Sequence, residues 1–217
     1  MPNSLKGLIV PVTGFQQNCT ILYDDTSKAC VIVDPGGDVP LIEEAISNHN
    51  LIPEAIWLTH GHIDHAGGAM DLKDRLSVSI IGPHQDDAPL LEGLAAQAKM
   101  FNLSDSVRNV VPDQWLDDGD SVSVGEHSFR VVHCPGHAPG HVIFINDAMK
   151  FVHVGDVLFR GSIGRTDLPG GDHAMLLQSI SEKVLPLGDD YTFICGHGPG
   201  GRIGEERMTN PFLQGIA

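Results

Sequence analysis

The chain has 217 residues, 41% of them hydrophobic, enough to bury a sizeable core. Asp and Glu outnumber Lys and Arg by 28 to 13, a formal charge of −15. A surface that acidic repels phosphate backbones and anionic headgroups, which argues against a nucleic-acid or membrane partner. No apolar run has the length of a membrane span or the form of a secretory core, and Cys19, Cys30, Cys134 and Cys195 are scattered with no CxxC pair. A cytoplasmic protein with reduced, buried thiols is expected.

In chain order, residues 7–12, 19–23 and 29–33 read as short strands, punctuated by turn chemistry at Thr13-Gly14 and Asp24-Asp25-Thr26-Ser27. Asp38 stands where it would cap a helix carrying Leu41, Ile42, Ala45 and Ile46. A buried strand at 55–58 runs into a His-rich loop, then a helix near 67–75 and a strand at 78–81. An amphipathic helical stretch is predicted over 88–101, and 113–133 returns to strand and hairpin character with a turn at Asp118-Gly119-Asp120. Strands at 141–145 and 150–154 follow, Asp172 is placed to cap a helix over 173–184, and a last strand covers 191–195. With no linker and no internal repeat, the order predicts one domain over 1–217, built of two packed sheets with helices on their outer faces.

The His-rich loop is Thr59-His60-Gly61-His62-Ile63-Asp64-His65, four ligand-type side chains within six residues. A continuous helix cannot use them together, because residues two apart point to different sides. An extended entry through His60 and His62 followed by a tight turn at Asp64-His65 lets all four converge. Imidazole and carboxylate ligands suit zinc, iron or manganese; the bland alternative is a surface loop rich in His. Three further segments bring ligand-type residues to strand exits: His133-Cys134-Pro135-Gly136-His137-Ala138-Pro139-Gly140-His141, Gly155-Asp156 and Gly196-His197-Gly198. Singly each reads as a turn. Jointly they supply what a cluster of four lacks for two metals.

Thr59-His60-x-His62-x-Asp64-His65, Pro135-Gly136-His137, Gly155-Asp156 and Gly196-His197-Gly198, in this order, resemble the metallo-β-lactamase superfamily. Gly155-Asp156-Val157-Leu158-Phe159 with Gly161, Gly164 and Arg165 is similar to glyoxalase II, the hydroxyacylglutathione hydrolases. Gly204-x-Glu206-Arg207-x-x-Asn210-Pro211-Phe212 resembles the short, single-domain bacterial branch of that family. The resemblance implies an α/β fold, a four-layer αββα sandwich of the metallo-β-lactamase type. It also implies two divalent metal ions, zinc first with iron or manganese as alternatives. In that scheme His60, His62 and His137 hold one ion, Asp64, His65 and His197 the other, and Asp156 bridges them. Asp64 and Asp156 are the catalytic carboxylates, Arg165 and Arg160 the substrate-binding residues, and His141 orders its loop from behind the ligands.

Such a centre implies hydrolysis. A water bridging two dications ionises near neutral pH instead of at about 15.7, and the hydroxide attacks a carbonyl. Thioesters suit it because the departing thiolate, with a pKa of roughly 8.5, needs no strong general acid. The expected substrate is an S-acyl-glutathione such as S-lactoylglutathione, cleaved to lactate and glutathione. Asp167 and Pro199 stand where full-length glyoxalase II enzymes place tyrosines, and the stretch after His197 is too short for their basic helical domain, so glutathione specificity should be weak. Alternatives are a mono-iron persulfide dioxygenase, a lactonase or other hydrolase on the same fold, and a metal-binding protein without turnover.

Overall fold

The computed structural model describes residues 4–100, 103 and 107–216. Five strands form one sheet in sequence order: β1 Leu5–Val12, β2 Gln17–Asp24, β3 Ala29–Val33, β4 Ile52–Trp57 and β5 Ser79–Ile81. The first three pair antiparallel, whereas β3, β4 and β5 are parallel, with helices α1 (Val39–Asn48), α2 (Ile63–Ala66) and α3 (Ala69–Leu76) in the crossovers. After β5, α4 (Ala88–Glu92) and α5 (Leu94–Met100) cover the same face. The predicted helix 88–101 is broken at Gly93, and its last position lies outside the described residues.

The second sheet contains β6 Ser121–Val124, β7 His127–His133, β8 Val142–Asn146 and β9 Phe151–His153. A two-stranded hairpin, β10 Leu158–Phe159 and β11 Ser162–Ile163, projects after β9. The chain re-enters the sheet as β12 Thr192–Ile194, parallel to β9, with β13 Gly201–Arg202 at the edge. Helices α6 (His173–Ser179) and α7 (Ile203–Thr209) belong to this half.

Residue alternation along the strands builds the layers. On β3, Val31 and Val33 face inward to meet Phe129, Val131 and Phe144 of the second sheet, while Cys30 and Ile32 face out against Ile42 and Ile46 of α1. Trp57 fixes the sheet-to-sheet contact, its ring centroid 5.3 Å from Phe129 and 5.0 Å from Phe144. Outside the second sheet, Ile143, Ile145 and Val152 pack on Leu176, Ile180 and Ile203. The layers run helix, sheet, sheet, helix. All four cysteines are free and buried, and among the described residues no helix is long and apolar enough to cross a membrane.

Two local expectations change. Asp38 does not cap α1: it sits in the left-handed region (φ 46°), and its Oδ2 accepts from the Thr13 amide at 2.6 Å, tying the β1–β2 turn to the helix start. Asp172 does cap α6, accepting from the Met175 amide at 3.0 Å. That helix stops at Ser179, however, and continues as a π-turn to Val184 and a 3₁₀ turn over Leu185–Leu187. Pro186 lacks the amide an α-helix would use there.

Candidate metal centre

The loops 58–65, 134–141, 154–157 and 195–200 converge on one point. His60 Nε2, His62 Nδ1 and His137 Nε2 form a triangle with sides of 3.0, 3.0 and 3.2 Å. Beside it, His197 Nε2 lies 3.1 Å and His65 Nε2 3.8 Å from Asp64 Oδ2. Asp156 stands between the two groups, one carboxylate oxygen 3.4 Å from His65 Nε2 and the other 3.6 Å from both His137 and His197. This packing demands glycine at two neighbours. A Cβ on Gly196 would lie 2.0 Å from Asp156 Oδ1, and Gly155, at φ +50°, leaves no room for one beside His141.

The hydrogen bonds behind the ring fix its tautomers. Thr59 Oγ1 spends its proton on Asp34 Oδ2 at 2.6 Å, so at 2.9 Å it can only accept from His60 Nδ1–H. Asp34 Oδ2 also accepts from His65 Nδ1–H at 2.9 Å, and the Arg165 carbonyl accepts from His137 Nδ1–H at 2.8 Å. Each of these three imidazoles therefore keeps its hydrogen on Nδ1 and turns Nε2 to the centre. His141 behaves differently: its Nε2 accepts the Asp156 amide at 3.0 Å, and its ring stacks on His60 with centroids 4.8 Å apart. It steadies Asp156 and His60 from behind.

Electrostatically the two groups diverge. Burial pushes His60 well below the ordinary imidazole range, lowers His137 and takes His62 down to about 3. Burial would lower His65 and His197 too, but Asp156 and Asp64 facing both of them, with Asp34 behind His65, reverse the sign and raise both. Asp64 and Asp156 are held below the usual carboxylate range, burial being outweighed by His65 and its neighbouring histidines.

This donor set fits divalent cations. Tetrahedral ligands bonded at about 2.0–2.1 Å are about 3.3–3.4 Å apart, close to the spacing in the His60–His62–His137 triangle. His65 Nε2 and Asp156 Oδ1 face each other 3.4 Å apart, buried and without hydrogen-bond partners. Unpaired buried polar atoms are costly, and a cation between them would satisfy both.

Arg160 lies in the turn of hairpin β10–β11 and Arg165 just after it, with the Arg165 carbonyl against His137. Arg165 is exposed and makes a two-bond pair with Asp167 at 2.7 and 2.8 Å; Arg160 is exposed with no ion pair among the described residues. The hairpin is pinned by α7, where buried Glu206 accepts from the Gly161 amide at 2.8 Å and Asn210 donates to the Ser162 carbonyl at 3.0 Å. His153 lies outside the ring, its Nε2 bonded to Thr20 Oγ1 at 3.2 Å.

Sequence reasoning did not pick out Asp34 or Asp87 for the site. Asp34 carried a usable signal, an acid directly after an apolar strand, as at Asp156. It also adopts φ 54°, a strained backbone held by its three hydrogen bonds to Thr59 and His65. His197 is tied to the first sheet through Asn18, which donates to the carbonyls of Cys195 and Gly198 at 3.0 and 2.7 Å.

Four layers with a His/Asp centre at their loops define a metal-dependent hydrolase, and residues 12–197 match the family model of the metallo-beta-lactamase superfamily, to which this chain belongs. It is similar to the hydroxyacylglutathione hydrolase GloC of Haemophilus influenzae, 44% identical over 94% of this chain and 96% of that protein. Among solved structures it is similar to the BLEG-1 B3 metallo-beta-lactamase, with a TM-score of 0.87, 37% identity and coverage of 98% and 100%. A di-iron-bound form of TTHA1623 gives 0.85 and 37%, with 95% and 100% covered. The chain is a metallo-hydrolase that binds divalent metal.

Proposed function

We propose that this enzyme is a dinuclear thioesterase acting on S-acyl-glutathione, with S-lactoylglutathione as the reference substrate. The observation that carries the reading is Asp156, whose two oxygens reach toward both ligand groups. His60, His62 and His137 would hold one ion, Asp64, His65 and His197 the other. Ions bound there supply Lewis acidity that polarises a carbonyl and ionises water near neutral pH. Asp64, the more open of the two carboxylates with its side chain 19% exposed against 8% for Asp156, would take the proton from attacking water. Arg165, and Arg160 in the hairpin before it, would receive the carboxylates of the thiol portion. The 44% identity to a hydroxyacylglutathione hydrolase supports the substrate class, and the di-iron form of a 37% identical structure makes iron as fair a choice as zinc.

Protein loaded separately with zinc and with iron is expected to contain two equivalents of metal and to release free thiol from S-lactoylglutathione. Loaded protein that leaves this thioester intact would overturn the assignment. The likeness to the BLEG-1 metallo-beta-lactamase favours a second reading, β-lactam hydrolysis. A β-lactam turned over with a higher kcat/KM than the thioester would put it first.

A further inference from the structure

We infer that Asp87 is a positioning residue that sets the distance between the two loops of the His60–His62–His137 triad, and thereby that triad's affinity for a cation. The inference rests on the ligand set proposed above. Asp87 ends a 3₁₀ turn over Gln85–Asp87, is fully buried, and forms no ion pair among the described residues. Its Oδ2 accepts from the Gly61 amide at 2.7 Å, and its Oδ1 accepts from the Gly140 amide. Gly61 lies between His60 and His62, and Gly140 lies in the loop that carries His137. One carboxylate thus takes one amide from each side of the triad.

The turn holds Gly140 a second time, since the His84 amide donates to the Gly140 carbonyl at 3.0 Å. Gly61 presses on α4, which follows the turn, and Gly140 on the turn itself. A Cβ on Gly61 would come within 2.8 Å of Leu90 Cβ, and one on Gly140 within 2.5 Å of the Asp87 nitrogen. Asp87 is not among the ligand nitrogens or oxygens, so its influence passes through the backbone. The chemistry requires a carboxylate: two amides approaching from different loops need two acceptor oxygens. An asparagine of the same size offers one acceptor and one donor, which would set an N–H against an N–H.

The test is zinc affinity of metal-stripped protein, read by competition with a chromophoric chelator near neutral pH. Asp87→Asn is expected to raise the Kd of the tighter equivalent about tenfold or more, as for other residues behind metal ligands. The control is Asp24→Asn, another fully buried carboxylate, which accepts the Thr26 and Ser27 amides at 2.7 and 3.1 Å beyond the end of β2. It should lower Tm without changing the zinc Kd. An unchanged Kd in Asp87→Asn, or equal losses in both variants, overturns the inference.

If Asp87→Asn does not fold, amide exchange of the zinc-free wild type takes its place. Gly61 and Gly140 should open together with one free energy; independent exchange of the two amides refutes the strap. Zinc binding is read without substrate, so the outcomes separate. Wild-type protein that binds no zinc sinks the ligand set, whereas tight binding indifferent to Asp87→Asn sinks only this inference.

Discussion

The two ligand groups are built from opposite electrostatics. His60, His62 and His137 are buried imidazoles with their acid ranges pushed down, so they stand neutral with lone pairs converging. Asp64, His65 and His197 mix carboxylate with imidazole, lie partly open at His197, and hold their histidines above the ordinary range. In the proposed scheme the first pocket receives a cation without releasing a proton. In the second, protons compete more strongly for His65 and His197, and that competition costs affinity. The lesson is that neighbouring pockets sharing Asp156 need not bind metal equally.

The largest expected effect removes what the pockets share. Asp156→Ala should empty both and lower kcat/KM by on the order of 10³-fold, with metal counted by elemental analysis. His141→Ala, which takes away the acceptor of the Asp156 amide and the ring stacked on His60, should cost about tenfold. Equal, complete metal loss in both variants would erase the distinction between bridging Asp156 and the residue behind it.

Next come the single-pocket variants. His197→Ala should leave one equivalent of tightly bound metal, while His62→Ala should lose the tight equivalent. If His62→Ala kept its tight equivalent and His197→Ala lost its own, the order of the two pockets would be reversed.

The parts of this contrast differ in how far the sequence revealed them. The convergence of these side chains was legible because His60, His62, Asp64 and His65 fall within six residues after a buried strand, and because His137, Asp156 and His197 each sit at a strand exit. The layers were legible from strand periodicity and turn residues. What stayed hidden acts across the fold. Asp34 meets His65 over 31 positions and Asp87 meets Gly140 over 53, and no local pattern encodes either hydrogen bond. Asp38 looked like a cap because acids before helices usually are, but a tertiary partner at Thr13 claimed it. Hairpin β10–β11 and strand β13, two residues per strand, are too short to show a period.

A pH titration of bound metal sharpens the comparison further. Because the pKa values of His65 and His197 are raised, protons compete there as pH falls, and they do so before they can reach His62, which titrates at about 3. Protein dialysed at roughly pH 5, below the ordinary histidine range, should retain about one equivalent of metal, and the second should return on neutralisation. Simultaneous loss of both would mean that Asp156 couples the pockets too strongly for either to fill alone.

The smallest effect belongs to Arg165, whose two halves serve different ends. Its carbonyl holds His137 Nδ1–H at 2.8 Å, while its guanidinium is engaged with Asp167 at the exposed rim. Replacing the side chain keeps the carbonyl, so Arg165→Gln should leave both metal equivalents in place and raise KM for a glutathione thioester only a few-fold, exposed pairs and rim contacts being weak. Asp167→Asn should move KM the other way, because it frees the guanidinium for a substrate carboxylate. Opposite shifts in KM at constant metal content would place Arg165 on the substrate side of the first pocket. A fall in metal content on Arg165→Gln would show instead that the side chain, through the loop it closes with Asp167, helps to hold His137.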